Sequence, residues 1–457
     1  MATNTTVQAR TDAPSVTHIL ASFVATHPTK GWDDSVEHEA LRTFMNWLGC
    51  AIGAANHESV AAALAAINTL EPTAQAAVLG RSERVDIASA AMLNGISSHT
   101  FDFDDTHLKT IIHPAGPVAS AVLALAEKIG SSGREIIDAL VLGIDVSCRV
   151  GNMVYPEHYD RGWHITGSTG TLGAAAACAR LLKLDTAQTT MALGIAASQP
   201  VGLREQFGTM TKPLHPGAAA RAGMMSALLA QQGFTASAKA IEAPRGFAQV
   251  LSTKQDWNEI TDELGERFEI SFNTYKPFAC GIVIHPSIDG VIRLRNQHQL
   301  QPDDIARVEL KVHGLVLELT GKLTPQTGLE GKFSIYHSCA AGLLFGSAGE
   351  TEYADGIVNR PDVVALREKI TATIDNSIHE AASDVTIICH DGRQLHERVE
   401  HAIGSLENPM SDEQLNAKFD GLVNPVIGSE KGEALKALCW HLAAQPNVSE
   451  LIGRTCP

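Results

Sequence analysis

Between about Ser15 and Gly233, apolar residues recur at three- and four-residue intervals, the spacing that places them on one face of an α-helix. AAALAAINTL, GPVASAVLALAEKIG, GREIIDALVLGIDVSCRVG, TLGAAAACARLLKL and GAAARAGMMSALLAQQG all follow this pattern, and several end at Gly, a common helix terminus. The texture changes after about residue 270. IARVELKVHGLVLEL (305–319) alternates and is rich in Val and Leu, which predicts a strand. VTIICHDGRQLHERVE (385–400) sets Asp391-Gly392 between two strand-like runs, the pair a type I′ hairpin turn favours. GKFSIYHSCAAGLLFG and PDVVALREKITATID read as helices, and the chain is helical again from NPMSDEQLNAKF onward. The expectation is a mainly α protein: a large all-helical domain beginning in 1–268, a smaller α+β lid domain over 269–403, and a return to the helical body over 404–457. No internal period of 20–50 residues marks a repeat array.

Composition narrows the function. The 457 residues are 44% hydrophobic and only 5% aromatic, with 38 glycines, which suits closely packed helices. Thirty-five basic against 51 acidic side chains leave a net charge of −16, a surface that repels nucleic acid and anionic membrane. An anionic substrate would therefore need a locally cationic pocket. The eight cysteines form no CxxC or other metal-ligand spacing and are expected as reduced thiols, which also argues against an iron–sulfur cluster. The N-terminus lacks an apolar signal core and no run of 18 apolar residues occurs, so the expected location is the cytoplasm.

The candidate chemistry lies in short motifs. Three His-Pro pairs, His113-Pro114, His215-Pro216 and His285-Pro286, each precede an apolar helical pattern, and His164 precedes a Ser/Thr/Gly stretch that opens another. Pro suits a first helical turn, so each His is expected at or just before a helix N-terminus, where free N–H groups favour a carboxylate. A single His in such a place is usually an ordinary cap; four in one chain change the balance. HTFDFDDTHLKTIIHPAG packs three carboxylates, three His and a Lys into 18 residues. Asp104 and Asp105 read equally as helix caps or solvated charges. Asp102, Asp104 and Asp105 are only loosely EF-hand-like, without the loop Gly and terminal Glu, so no metal is expected. Lys212 and Lys276 each precede Pro and are candidates to pair a substrate carboxylate or stabilise an enolate. No nucleotide-binding glycine fingerprint, GxSxG elbow or HExxH is present.

Together HTFDFDDTH, HPAGPVASAVLALAE, GWHITGSTGTLGAAAACARLL, MTKPLHPGAAARAG, YKPFACGIVIHPSIDG, KFSIYHSCA and GSLENPMSDEQLNAKF resemble the MmgE/PrpD family over about residues 15–450. The resemblance implies a homodimer with a helical domain and an α+β lid, a site in the cleft between them, and no metal or organic cofactor. It implies 2-methylcitrate dehydration, cis-aconitate decarboxylation or iminodisuccinate epimerisation as the chemistry. By motif it carries catalytic roles to Asp102, His113, His164, Lys212, Lys276 and Tyr336. Thr106, His215 and Arg204 join the two lysines as candidate substrate-binding residues. DFDDT, TKPLH and KPFACG differ from the bacterial 2-methylcitrate dehydratase pattern, and Gly281, beside Cys280, stands where the decarboxylase has a His.

All three reactions pass through a carbanion or enolate beside a carboxylate, so the protein must neutralise that carboxylate and place an acid or base in reach. The expected division of labour has Lys212 and Lys276 holding carboxylates and His113 and His164 moving protons. Asp102 would orient a His or shuttle a proton, and Tyr336 would protonate from the opposite face. Arg204, Gln206 and Cys280 are expected to select the substrate. Three classes follow: a lyase acting on a small di- or tricarboxylate, an epimerase or racemase, and a non-catalytic carboxylate-binding protein.

Overall fold

In the helical part of the chain, what decides the packing is how closely small side chains let backbones approach. The computed structural model describes residues 15–28 and 31–457; the reading of the N-terminal residues lies outside that range. The chain divides into two compact units, one comprising the chain up to Ser98, His107–Asn273 and Val423–Pro457, the other His99–Thr106 and Thr274–Leu422. These bounds depart from the expected ones in three places, the first being that the main α+β stretch begins at Thr274 instead of residue 269. The loop His99–Thr106 groups with the α+β unit, and the return to the helical unit comes at Val423 instead of residue 404.

The helical unit contains α1 (Val16–Thr26), α2 (Asp34–Gly53), α3 (Glu58–Asn68) and most of α4 (Ile87–Thr100). It continues with α5 (Ala115–Ile129), α6 (Gly133–Val154), the short α7 (Glu157–Asp160), α8 (Ile165–Leu181), α9 (Thr186–Ala196) and α10 (Thr211–Gln231). At its centre is α8, buried at every position except Arg180 and packed against α5, α6, α9 and α10. A Cβ on Gly173 would lie 2.7 Å from the Gly143 carbonyl oxygen of α6, so these backbones meet where only glycine fits. Arg180, at the end of α8, donates to the carbonyls of Val24 and His27 and so ties α1 down. Gly130 closes α5 with φ +73°, as its sequence predicts, whereas α6 runs past Gly151 to Val154; Ser132 with Glu135 forms a capping box at the start of α6.

One buried cation organises the far end of α6. The Arg149 Nε donates to Asp145 at 2.7 Å, and the guanidinium also donates to the carbonyls of Glu259, Ile260, Asp262, Glu263 and Arg267. An irregular segment thereby satisfies carbonyls that no helix or sheet pairs.

The α+β unit is built on a four-stranded sheet. Its strands are β1 (Ile305–Val312), β2 (Ile370–Ile374), β3 (Ser383–Cys389) and β4 (Gln394–Val399), in the order β2-β1-β3-β4. The β1–β2 pairing is parallel, with Val308 opposite Ile370; the other two are antiparallel. Val308, Leu310 and Val312 alternate inward with exposed Glu309 and Lys311, as the sequence predicts. Helices α11 (His285–His298) and α12 (Ile335–Phe345) pack together, and α11 covers β3 and β4.

Three expectations need correction here. The alternation stops at Val312, and HGLVLEL forms the helix Gly314–Thr320, capped by His313, whose Nδ1 accepts from the Leu315 N–H. In PDVVALREKITATID only Pro361–Arg367 is helical; the β-branched remainder is β2. The hairpin at Asp391-Gly392 forms, but only Gly392 takes a positive φ (+88°) and Asp391 does not, so the turn is not type I′. All eight cysteines carry free thiols, seven of them buried. Among the described residues no single helix is long and apolar enough to cross a membrane.

Candidate functional site

The helical unit gathers the histidine motifs at helix N-termini. His113 directly precedes α5, whose N-cap is Pro114, and its backbone N–H donates to Thr166 Oγ1 in the first turn of α8 at 3.1 Å. His164 is the N-cap of α8. Its backbone N–H donates to the Gly202 carbonyl at 3.0 Å, and its ring meets the edge of Phe207 with centroids 5.0 Å apart. His215 does not precede its helix as expected. α10 begins at Thr211, so His215-Pro216 lies in its second turn with Lys212 in the first. Pro216 therefore lies inside the helix and leaves the Lys212 carbonyl without its regular helical donor.

Placed inside α10, His215 reaches His164: their Nδ1 atoms are 2.8 Å apart, and both residues are buried. Close packing fixes this. A Cβ on Gly95 of α4 would come 2.6 Å from the Gly217 Cα, and only glycine at both positions lets α4 and α10 approach so closely. Lys212 is half-buried, its ammonium 5.2 Å from the Phe207 ring centroid. Arg204 stacks on Tyr159 at 4.0 Å and donates to the Tyr159 carbonyl at 3.2 Å. The N-terminal ends of α8 and α10 thus bring together two imidazoles, with the Lys212 ammonium on the same Phe207 ring that His164 meets, a setting whose N–H groups and dipoles suit an anion.

The α+β unit holds the other motif residues. Asp102 has φ +54°, a left-handed conformation uncommon outside glycine. Lys276, 4% exposed, donates at 2.8 Å to both the backbone carbonyl and Oδ1 of Asp102. Burial works against the charged form of Lys276, but the carboxylates of Asp102 and Asp104 hold its pKa above the ordinary lysine value. Two further lysines flank this pair. Lys332 donates to the Phe101 carbonyl (2.7 Å) and to Glu350 (2.6 Å). Lys418 donates to the Phe103 carbonyl (2.6 Å) and the Lys276 carbonyl (2.9 Å). Three successive carbonyls, Phe101 to Phe103, therefore each receive an ammonium from a different part of the chain. Lys332 and Lys418 were absent from the sequence-derived set, although both sit in its motifs, each immediately before a Phe.

Asp104 faces His99, Oδ2 to Nδ1 at 2.7 Å. Two of the three clustered carboxylates are thus committed to different partners. The Thr106 carbonyl accepts from Thr274 Oγ1 at 2.7 Å. His107 has a structural place in the helical unit, its ring against Thr110 Oγ1 (2.8 Å) and Glu269 Oε2 (3.1 Å). Burial opposes the Glu269 charge, but donation from His107 and Asn152 and the charges of His107 and Arg149 bring its pKa down to about 2.

Beside Lys276, burial pushes the Cys280 thiol up to about 12, so it stays protonated. Burial and the Lys276 charge bring His285 down to about 3, a neutral imidazole. Tyr336, in the first turn of α12, is 8% exposed, and burial raises its hydroxyl pKa. At Gly281 a Cβ would meet only Thr320 Cγ2 (3.3 Å) and the Lys332 carbonyl (3.9 Å), which leaves room beside this cluster.

Residues 18–260 match the MmgE/PrpD N-terminal domain and residues 278–442 the MmgE/PrpD C-terminal domain. The chain is 28% identical to a cis-aconitate decarboxylase of Mus musculus, covering 78% of this chain and 76% of the relative, and 27% identical to that of Homo sapiens, covering 77% and 76%. It is 26% identical to a cis-aconitate decarboxylase-like protein of Aspergillus oryzae over 98% of both chains. With a helical domain and an α+β domain each matched in order, the chain belongs to the MmgE/PrpD family.

Proposed function

We propose that this protein is a cofactor-independent acid/base lyase that removes carbon dioxide or water from a small di- or tricarboxylate, with cis-aconitate the first substrate to test. The observation that carries the reading is the meeting of His164 and His215 near Lys212 where α8 and α10 begin, with His113 placed ahead of α5 beside the first turn of α8. A carboxylate entering there finds N–H groups, an ammonium and imidazoles, the side chain best suited to moving a proton. The names of the relatives, cis-aconitate decarboxylases at 25–28% identity, support the same class.

In decarboxylation, breaking the carbon–carboxylate bond leaves an electron pair on carbon that the remaining carboxylates delocalise. Lys212 neutralises a carboxylate and His164 delivers a proton to that carbon. In dehydration the same groups first take a proton from carbon and then assist loss of hydroxide as water. Lys276 has a narrower role than the sequence suggested: it is engaged with Asp102 and holds that carboxylate in place. Within the α+β unit, Tyr336 keeps its hydroxyl proton because burial raises its pKa, which suits an acid. The functional assembly we propose is a homodimer, and light scattering should give twice the chain mass of 48.6 kDa.

The test is incubation of the purified protein with cis-aconitate, 2-methylcitrate and iminodisuccinate in deuterated water, followed by NMR. Loss of carbon dioxide or water with one deuteron incorporated or exchanged is expected. Exchange with inversion and no loss of mass identifies an epimerase instead, a reading that Gly281 favours because it departs from the decarboxylase pattern. Binding without turnover or exchange identifies a carboxylate-binding protein and overturns the enzyme.

A further inference from the structure

We propose that His215 is the proton partner of His164, so that the two imidazoles act as one unit that accepts and releases a single proton. The proposal rests on the acid/base reading of His164 and replaces the expectation that His215 contacts substrate. Two ring nitrogens at 2.8 Å require one proton between them, because two lone pairs or two N–H groups facing each other would repel. The tautomers are therefore complementary: one ring carries Nδ1–H, the other accepts at Nδ1.

The surroundings hold both rings in this geometry. His164 is fixed by its N-cap position and its N–H bond to Gly202. Gly202 has φ +104°, and a Cβ there would come 2.9 Å from the His215 Cγ, so the glycine makes room for that ring. Phe207 closes the other side of His164. The rings are 60° apart with centroids at 5.1 Å, a crossing that aims one Nδ1 at the other.

The proton inventory follows from the geometry. The neutral pair has one proton between the rings and one on an outer Nε2. A further proton gives a monocation with both Nε2 atoms protonated and the bridging proton retained in a charge-assisted N–H···N bond. A second charge would need protons on both Nδ1 atoms, which the separation forbids. When the monocation protonates a substrate carbanion, the His164 Nε2–H bond breaks and a C–H bond forms. The bridging proton moves to His164 Nδ1 as it leaves His215 Nδ1, and His215 keeps its Nε2 proton and becomes neutral. Proton removal from carbon runs the same steps backwards.

The groups around the pair favour proton uptake only with an anion present. Lys212 lies on α10 one turn before His215, and Arg204 stacks on Tyr159 of α7. His113 precedes α5, beside Thr166 of α8. His158 of α7 has its Nε2 2.7 Å from Ser168 Oγ of α8, and burial keeps it neutral down to about pH 4. The two fixed cations oppose a charge on the pair until a polycarboxylate offsets them.

The test compares the full-length wild-type protein with His215→Asn, whose amide can still hydrogen-bond His164 but cannot pass a proton. With whichever acid is turned over, kcat should fall about 10²-fold or more while KM stays within about threefold. The alkaline limb of the pH profile should move to lower pH, because the isolated imidazole no longer shares its charge. A raised KM with unchanged kcat means that His215 binds substrate and overturns the proposal. A measurement independent of turnover is NMR of ¹⁵N-histidine-labelled wild-type protein. It should show one strongly hydrogen-bonded Nδ1 proton, lost in His215→Asn, and one titration shared by two rings. Two rings titrating independently overturn the pair even if the protein is a lyase. A shared proton without turnover of any tested acid supports the pair and removes the lyase reading alone.

Discussion

At Asp102 the backbone is left-handed at φ +54°, at a cost of about 1–2 kcal/mol for a residue with a Cβ. The conformation persists because three ammonium groups take the carbonyls of Phe101, Asp102 and Phe103. Strain held by surrounding contacts is a common property of functional loops. Lys276→Met should remove the cation that places the Asp102 carboxylate, and we expect kcat to fall by about 10²–10³-fold, the scale of losing one preorganised electrostatic contact. Turnover within about threefold of wild type would show that Asp102 does not act in the reaction. Lys212→Ala, by contrast, should act mainly on KM, because the half-buried Lys212 sits in the first turn of α10 near the His164–His215 pair. The motifs contained Asp102, Lys276, His164 and Lys212, but residue type could not say which lysine faces inward. Lys332 and Lys418 went unnoticed because a Lys before a Phe carries no chemical signature until a carbonyl lies within reach of it.

Among the elements, α8 shows why small residues matter more than apolar ones. At Gly173 an added methyl would come 2.7 Å from both the Gly143 carbonyl oxygen and the Ser147 Cβ, where the backbone of α6 cannot easily give way. Gly173→Ala should therefore destabilise the fold by about 1–3 kcal/mol, read as a lower denaturation midpoint in urea. A midpoint equal to wild type would mean that α6 and α8 can separate without loss. Helical periodicity was plain in the sequence because one face of each helix is apolar. Two segments were misread for a physical reason. KITATID is too short to distinguish strand from helix by periodicity and becomes β2 by pairing in parallel with β1. HGLVLEL continues an apolar run, yet His313 caps a helix there. Pro216 departs from the usual rule, since proline favours a first turn and here lies in the second.

For the whole molecule, buried neutral imidazoles set the acid limit of stability. Burial, the leading cause in each, brings His158 and His337 down to about 4 and His285 to about 3. Above pH ~6.5 these rings are neutral in both folded and unfolded chains and have no effect. Below it the unfolded rings bind protons that the folded ones refuse, so stability falls as pH falls towards the folded values, by roughly 2 kcal/mol per group at pH 5. Burial holds the Asp145 carboxyl up at about 6 and also raises Asp138 and Glu350, so these work in the opposite sense and offset part of the loss, while His27, lowered by burial, adds to it. The thermal midpoint should fall steadily from pH 7 to pH 5, and a flat profile would show that these rings are accessible to protons in the folded state.

The sequence by itself determined the order of helices, the change to an α+β texture, the family motifs and most residues with useful chemistry. It could do so because periodicity and side-chain type are properties of the chain. Only the tertiary structure decided that His215 faces His164, that Lys276 is occupied by Asp102, and that the loop Phe101 to Phe103 is held by three lysines. Such pairings are set by the approach of backbones distant in sequence, at Gly95 and Gly217 or around Gly202, and no local pattern encodes which glycine will meet which neighbour.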